Sequence, residues 1–286
     1  MKQRIITATV AIMVLVAVLF FKNILLRPAM IIVALCTLYE FLKAFNDKYK
    51  IMWIPIFLFS IFNYALLIFN DIDNVSSEVN LVSMMITFIL FIVAILMIMI
   101  FKNDKYDLNS LMIAILGYIY STVFFSFIYL LGTYDTVNNS LFYLLVLFAI
   151  AWGADTGGYI VGCAIGKHKL CEKLSPKKTY EGAVGGLLFS TAIALVVVFV
   201  YNTYFNLGIM DKFWTMSEPI NVLKMSILFI CLSVFAQIGD FIASSFKRFV
   251  GIKDYSNIMP GHGGFVDRFD SVLFVAPMLY LIIILF

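Results

Sequence analysis

A polytopic, all-α bundle of membrane-spanning helices is the fold class that this sequence predicts, on three observations. First, 63% of its 286 residues are hydrophobic, and at the ~20 apolar residues needed per helical crossing that amounts to about nine crossings. Second, only 13% of residues are charged, well below the ~25% of a soluble domain. Third, the apolar runs are continuous rather than alternating in polarity, which favours helices over an outer-membrane barrel. Disorder, a collagen-like repeat and an ordinary water-soluble core are excluded.

The spans follow from apolar runs bounded by charge or by Gly, Pro and Asn. A first span at 4–21 follows Lys2 and Arg4 and continues into Phe20-Phe21-Lys22 with no small-residue cleavage site, which reads as an uncleaved helix. The second, 24–45, is closed by Lys48 and Lys50, and the third, 51–70, by Asp71. The fourth, 80–101, stops at Lys102, and the fifth, 108–132, opens after Asp107. The sixth, 140–165, ends at Gly166-Lys167, and the seventh, 183–207, opens after Gly182. The eighth, 221–246, follows Pro219 and ends at Lys247-Arg248, and the last is 271–286. No repeat or low-complexity linker interrupts them, so a single domain over 1–286 is expected, with N-terminal helices in 1–139 and a catalytic part in 140–286. The four cysteines form no C-x-x-C pair and read as small apolar side chains.

Basic residues set the orientation. With the N-terminus in the cytosol, sixteen of the 20 Lys and Arg fall on inner loops, and only Lys22, Arg27, Lys212 and Lys224 lie outside, beside Asp71, Asp73 and Glu78. A net charge of +3 is too small for a nucleic-acid surface.

Two carboxylates stand out within the spans, Asp155 and Asp240, since an acid at a helix centre costs ~2.5–3.5 kcal/mol even on the lenient insertion scale. Asp240 is expected one to two turns from the cytosolic helix end and Asp155 about three turns in. Each calls for donors or a cation, whether as a structural contact or as a site. Around Asp155, Gly158, Gly162 and Gly166 recur every fourth residue, a spacing that lets another helix approach closely. The following loop contains five Lys within 167–182. There Ser175-Pro176 suits a helix start, with Ser175 as cap, and Lys177 and Lys178 at its entrance suit a phosphate. Contact with anionic lipid heads explains the same lysines.

The densest segment is 239–271. Lys247, Arg248, Lys253 and Arg268 alternate with Asp240, Asp254, Asp267 and Asp270 around the turn Pro260-Gly261-His262-Gly263-Gly264. Glycines there admit positive φ and close backbone approach to a ligand. Asp267 and Asp270, three apart, share a face if the last helix has begun. Carboxylates, cations and a glycine turn are what divalent-metal-assisted phosphoryl or nucleotidyl transfer requires: oxygens for Mg²⁺ and positive charge for the leaving phosphate. By contrast His168, alone in a loop, reads as a surface residue, whereas His262 suits a phosphate donor.

Residues 244–270 resemble the diagnostic motif of the phosphatidate cytidylyltransferases (CDP-diacylglycerol synthases). Ser244, Lys247, Arg248, Lys253, Asp254, Ser256, Pro260, His262, Gly263, Gly264, Asp267, Arg268 and Asp270 fill it at matching spacing. Gln237 to Asp240, Ala154 to Gly157 and Ser175 to Gly182 also look like family motifs, so the resemblance covers about 150–271. Two positions depart from it: Ala243, where the family often has Glu, and Met259, where a branched aliphatic residue or Phe is usual.

The resemblance implies a multi-pass enzyme of phospholipid biosynthesis; the compact length and lack of targeting extensions lead us to expect a bacterial plasma membrane, and the placement of basic residues a site facing the cytosol. CTP and phosphatidate would give CDP-diacylglycerol and pyrophosphate. It implies Mg²⁺ at Asp240 and Asp267, with Asp270 beside them and a second cation left open. Lys247, Arg248, Lys253 and Arg268 would meet phosphates, with Lys177, Lys178, Ser175, Asp254, His262, Gly263 and Gly264 around the substrates and Asp155 in support. Homodimerisation stays open. Two other readings remain, a CTP-dependent lipid-alcohol kinase and an ion-coupled transporter built on Asp155 and Asp240.

Overall fold

A computed structural model of the chain describes residues 2–72, 76–134, 137–204, 214, 216, 218–261 and 263–285. Asp73, Lys212 and His262 lie outside the described residues. The chain is helical almost throughout, as a polytopic membrane protein must be, because hydrocarbon leaves backbone groups no partner but one another. In order the helices are α1 (Lys2–Phe20), α2 (Lys22–Asn46), α3 (Trp53–Ile72), α4 (Ser77–Phe101), α5 (Leu108–Tyr118) and α6 (Phe124–Thr133). There follow α7 (Val137–Ile165), the strands β1 (Lys169–Cys171) and β2 (Ser175–Thr179), α8 (Tyr180–Tyr204), α9 (Pro219–Val250) and α10 (Val266–Leu285).

Among the described residues, eight helical stretches are long and apolar enough to cross a bilayer, and α1 adds a shorter apolar stretch, Thr9–Leu19. The expected count of about nine therefore becomes eight full-length spans and one short one. Only Phe21 separates α1 from α2. The span Leu108–Thr133 is a composite in which a π-helical stretch, Ile119–Val123, joins α5 to α6.

The chain divides into two compact units. One comprises Met1–Leu130 with Phe249–Arg268, and the other Leu131–Arg248 with Phe269–Phe286. In the first, α3 is pinned to the composite span by buried polar contacts: Ser60 with Thr122 at 2.7 Å, and Asn63 donating to Ser126 at 2.8 Å. Such contacts stand in for the hydrophobic driving force that helices lack in lipid. Arg27, one of the few basic residues assigned outside, is matched by Asp71 at 2.7 Å, which accounts for a cation near the start of α2. At the start of α5, the Ser110 N–H donates to Asp107 at 2.9 Å and holds that carboxyl below the usual carboxylate range.

In the second unit α7 and α8 pack backbone to backbone. A methyl group added at Gly186 would lie 2.6 Å from the Ala154 carbonyl oxygen, and one at Gly182 would lie 2.7 Å from that of Gly158. Glycine recurrence in α7 thus marks an interhelical seam, as its spacing predicts. Gln237 Nε2 donates to the Ala183 carbonyl at 3.0 Å and Ser190 Oγ to Ser233 Oγ at 2.8 Å, which fastens α9 onto α8.

Candidate active site

The second unit gathers much of the predicted chemistry. Asp155 on α7, Asp240 on α9 and Asp270 on α10 come from three helices, and the charges of Asp240, Asp155 and Lys247 all act on Asp270. Asp270 is 6% exposed, whereas Asp155 is exposed and accepts a hydrogen bond from Ser271 Oγ at 3.2 Å. Lys178 forms an ion pair with Asp240, and its ammonium lies 4.3 Å from the centre of the Phe241 ring. Gly239 makes this arrangement possible: a methyl group there would lie 2.5 Å from the Asp270 backbone oxygen, so α9 and α10 touch where the two acids emerge. Because α9 continues to Val250, Asp240 sits ten residues from its helix end rather than the expected one to two turns, matching the ten residues between Asp155 and the end of α7. Both acids are therefore roughly 15 Å along their helices from those ends.

The lysine-rich loop corrects one expectation. Ser175 does not cap a helix. Ser175–Thr179 is a strand paired antiparallel with Lys169–Cys171, and the helix starts at Tyr180. Thr179 is the cap, its Oγ1 accepting the Gly182 N–H at 3.1 Å. Pro176 is compatible with a two-stranded ribbon because every strand there is an edge, so a Ser-Pro pair was no proof of a helix start. Lys177 and Lys178 consequently sit on the strand just before the helix; Lys177 is exposed and Lys178 turns to Asp240. Arg248 is exposed and donates through Nε to the Leu174 carbonyl at 3.3 Å, tying the end of α9 to the ribbon.

The remaining motif residues belong to the first unit. Gly261 and Gly263 take positive φ, +80° and +82°, and Met259 pairs with Gly263 across the turn they make. Asp267, near the start of α10, accepts through Oδ2 from the Tyr255 N–H at 2.9 Å and the Gly264 N–H at 3.0 Å. The last helix has therefore begun at Asp267, as its shared face with Asp270 requires. Lys253, Asp254 and Arg268 are exposed.

Glu40, on α2, went unnoticed in the sequence. It is 1% exposed and accepts from Ser256 Oγ at 2.5 Å and the Val266 N–H at 3.0 Å. The signal was available: Glu40 lies inside the predicted span 24–45 and meets the same criterion, an acid within an apolar run, that singled out Asp155 and Asp240.

No group of three or more His, Cys, Asp or Glu stands ready to hold a metal ion among the described residues. The donor set nevertheless suits a hard cation. Asp155, Asp240 and Asp270 bring oxygen ligands alone, the donors that a hard cation prefers. Mg²⁺ needs only one or two carboxylates, because it keeps water and takes phosphate oxygens as its other ligands. A groove of about 710 Å³ between α7 and α8 is lined by Val161, Ile165, Val184, Leu188 and Phe189 with Glu181 among them. It offers no cation and so does not suit a phosphate.

Comparison with known proteins matches residues 2–286 to the model of the Cytidylyltransferase family. The phosphatidate cytidylyltransferase of Staphylococcus saprophyticus subsp. saprophyticus is 33% identical over 285 residues, covering 99% of each chain. That of Staphylococcus haemolyticus is 31% identical over the same share of both. That of Staphylococcus aureus is 41% identical over 151 residues, 53% of this chain and 52% of the relative.

Proposed function

The chain belongs to the cytidylyltransferase family and is a membrane-embedded nucleotidyltransferase, and we propose that it joins CTP to phosphatidate, giving CDP-diacylglycerol and pyrophosphate. The reading is carried by the convergence of Asp155, Asp240 and Asp270 with Lys178 and Lys247 in one helical unit, in a chain that matches enzymes of that name over nearly its full length.

In this reaction a phosphate oxygen of phosphatidate attacks the α-phosphorus of CTP. The new P–O bond forms as the bond to the β-phosphate oxygen breaks, and pyrophosphate departs with that electron pair. The nucleophile is already anionic, so no strong base is needed; positioning and charge neutralisation are the protein's contribution. Asp240 and Asp270 would hold Mg²⁺, and when bound the ion would neutralise and orient phosphate oxygens. Asp155, exposed and accepting from Ser271 Oγ, would act in support. Lys178 pairs with Asp240 and aims it, while Lys247 and the exposed Arg248 and Lys177 would supply positive potential to phosphates. In the other unit Lys253 and Arg268 are exposed cations of a kind that suits phosphates, and Asp267 holds the Gly-rich turn through the Tyr255 and Gly264 N–H groups. The excess of Lys and Arg on one predicted set of loops supports a site on the cytosolic side of the membrane, where soluble nucleotide and lipid headgroup would meet.

The test is an isotope assay with purified protein, phosphatidate and Mg²⁺. Label in the α-phosphate of CTP is expected to appear in the lipid, with the β and γ phosphates released together as pyrophosphate. Transfer of γ-label instead would identify a kinase and overturn the reading, and so would absence of any labelled lipid.

A further inference from the structure

Three side chains of the first unit show how the Gly-rich loop is held. The carboxylate of Glu40 reaches it from α2 across more than two hundred residues of sequence. Its Oε1 accepts from Ser256 Oγ at 2.5 Å and its Oε2 from the Val266 N–H at 3.0 Å. Thus each oxygen takes a donor from the segment, one near its start and one at the first residue of α10. Between these donors lies Gly264, where a methyl group would collide with the same carboxylate. Gly264 is thus glycine because Glu40 occupies the space a side chain would need. Phe41, next to Glu40 on α2, faces the same segment, its ring stacking on that of Tyr255 with centroids 6.3 Å apart, and Lys48, just beyond α2, donates to the Phe249 carbonyl at the end of α9 at 2.8 Å.

We propose that Glu40 is a positioning residue for the nucleotidyl transfer, fixing the 255–266 loop and with it the exposed Lys253, Asp254 and Arg268 that flank it and would meet the substrate. This inference rests on the proposed function for its substrate, but not for the latch itself. Burying a carboxylate is costly unless strong donors meet it. A serine hydroxyl and a backbone N–H can do so only while the loop keeps its present path. The arrangement is reciprocal: the loop satisfies the acid, and the acid denies the loop other conformations. Gly264 N–H and Tyr255 N–H are held in turn by Asp267, so each of the two carboxylates ties the start of the loop to its end.

The experiment combines hydrogen–deuterium exchange with steady-state kinetics on the full-length protein in lipid nanodiscs, for wild type, Glu40→Gln, Glu40→Ala, Ser256→Ala and Gly264→Ala. In Glu40→Ala, amides of 255–266 are expected to exchange about tenfold faster or more while those of α7 and α8 keep their wild-type rates. The kcat/KM for CTP should fall about tenfold or more. Glu40→Gln and Ser256→Ala should show the same changes at smaller size, because one of the two contacts survives in each. Gly264→Ala should reproduce them from the opposite side, and combining it with Glu40→Ala should add little, since the space is then open. Unchanged loop exchange in Glu40→Ala would overturn the proposal, as would faster exchange with unaltered CTP kinetics. A wild-type protein that fails the isotope assay would instead overturn the substrate assignment, leaving the latch to be decided by the exchange rates alone.

Discussion

Asp240 and Asp267 are both acids near a helix end in the sequence, yet the structure gives them different surroundings, and substitution by Asn separates their roles. Asp240 is paired with Lys178 and shares the neighbourhood of Asp270 and Asp155. Asp240→Asn removes a charge where the donor set would hold a cation and leaves Lys178 without its counter-ion. Pyrophosphate release is expected to fall by about 10²-fold or more, with thermal unfolding little changed. Asp267 uses one oxygen for two backbone N–H groups. Asn at that position keeps a carbonyl acceptor and so retains the loop's hydrogen bonds, yet loses the charge. Loss of pyrophosphate release in Asp267→Asn, measured beside unchanged unfolding, would therefore show that the reaction needs the charge itself. Full activity there would confine Asp267 to a structural role, and full activity in Asp240→Asn would dispose of the metal assignment.

Helices were the most legible elements, because each needs a long apolar run and the runs are bounded by charges. The predicted 140–165 became Val137–Ile165 and the predicted 183–207 became Tyr180–Tyr204. Short-range polar structure was less legible. Ser175-Pro176 fits a helix start and an edge strand equally well, and only the pairing with Lys169–Cys171 decides between them. The ion pair of Lys178 with Asp240 joins residues 62 apart in sequence, and no local pattern specifies which of five lysines turns inward. Glu40 escaped because its partners lie more than two hundred residues downstream, although its burial cost was visible from its place in a span. Glycine spacing, by contrast, carried information about packing, and it can be tested at the element scale. A methyl group at Gly186 would lie 2.6 Å from the Ala154 carbonyl oxygen, whereas one at Gly158 would lie 3.5 Å from that of Gly182, an ordinary contact. Gly186→Ala is expected to destabilise the α7–α8 pair by about 1–3 kcal/mol, and Gly158→Ala to be close to neutral. Unfolding in detergent, followed by circular dichroism, measures both; equal stability of the two variants would show that the seam can open without cost.

At the scale of the whole molecule, the membrane imposes an asymmetry that a helical bundle alone does not have. On the predicted topology sixteen of 20 basic residues fall on one side, and a bias of that size predicts that this side stays in the cytosol. The second unit shows what this asymmetry would achieve. Its α8 and α10 start, and its α7 and α9 end, on the side predicted to be cytosolic. The ribbon with Lys177 and Lys178 belongs to that same side. On the proposed reaction a lipid phosphate would enter from the headgroup layer of one leaflet and CTP from the cytosol, so an inverted molecule could hold every site residue in place and still meet no nucleotide. Single cysteines in a background lacking Cys36, Cys163, Cys171 and Cys231 test the orientation, at Lys173 in the turn between the strands and at Glu218 before α9, both exposed. In intact cells a membrane-impermeant maleimide is expected to label Glu218→Cys and spare Lys173→Cys, and in inverted vesicles the pattern should reverse. Labelling of Lys173→Cys from outside intact cells would place the lysine ribbon away from the nucleotide pool and sink the cytosolic assignment, whatever the geometry of the carboxylates.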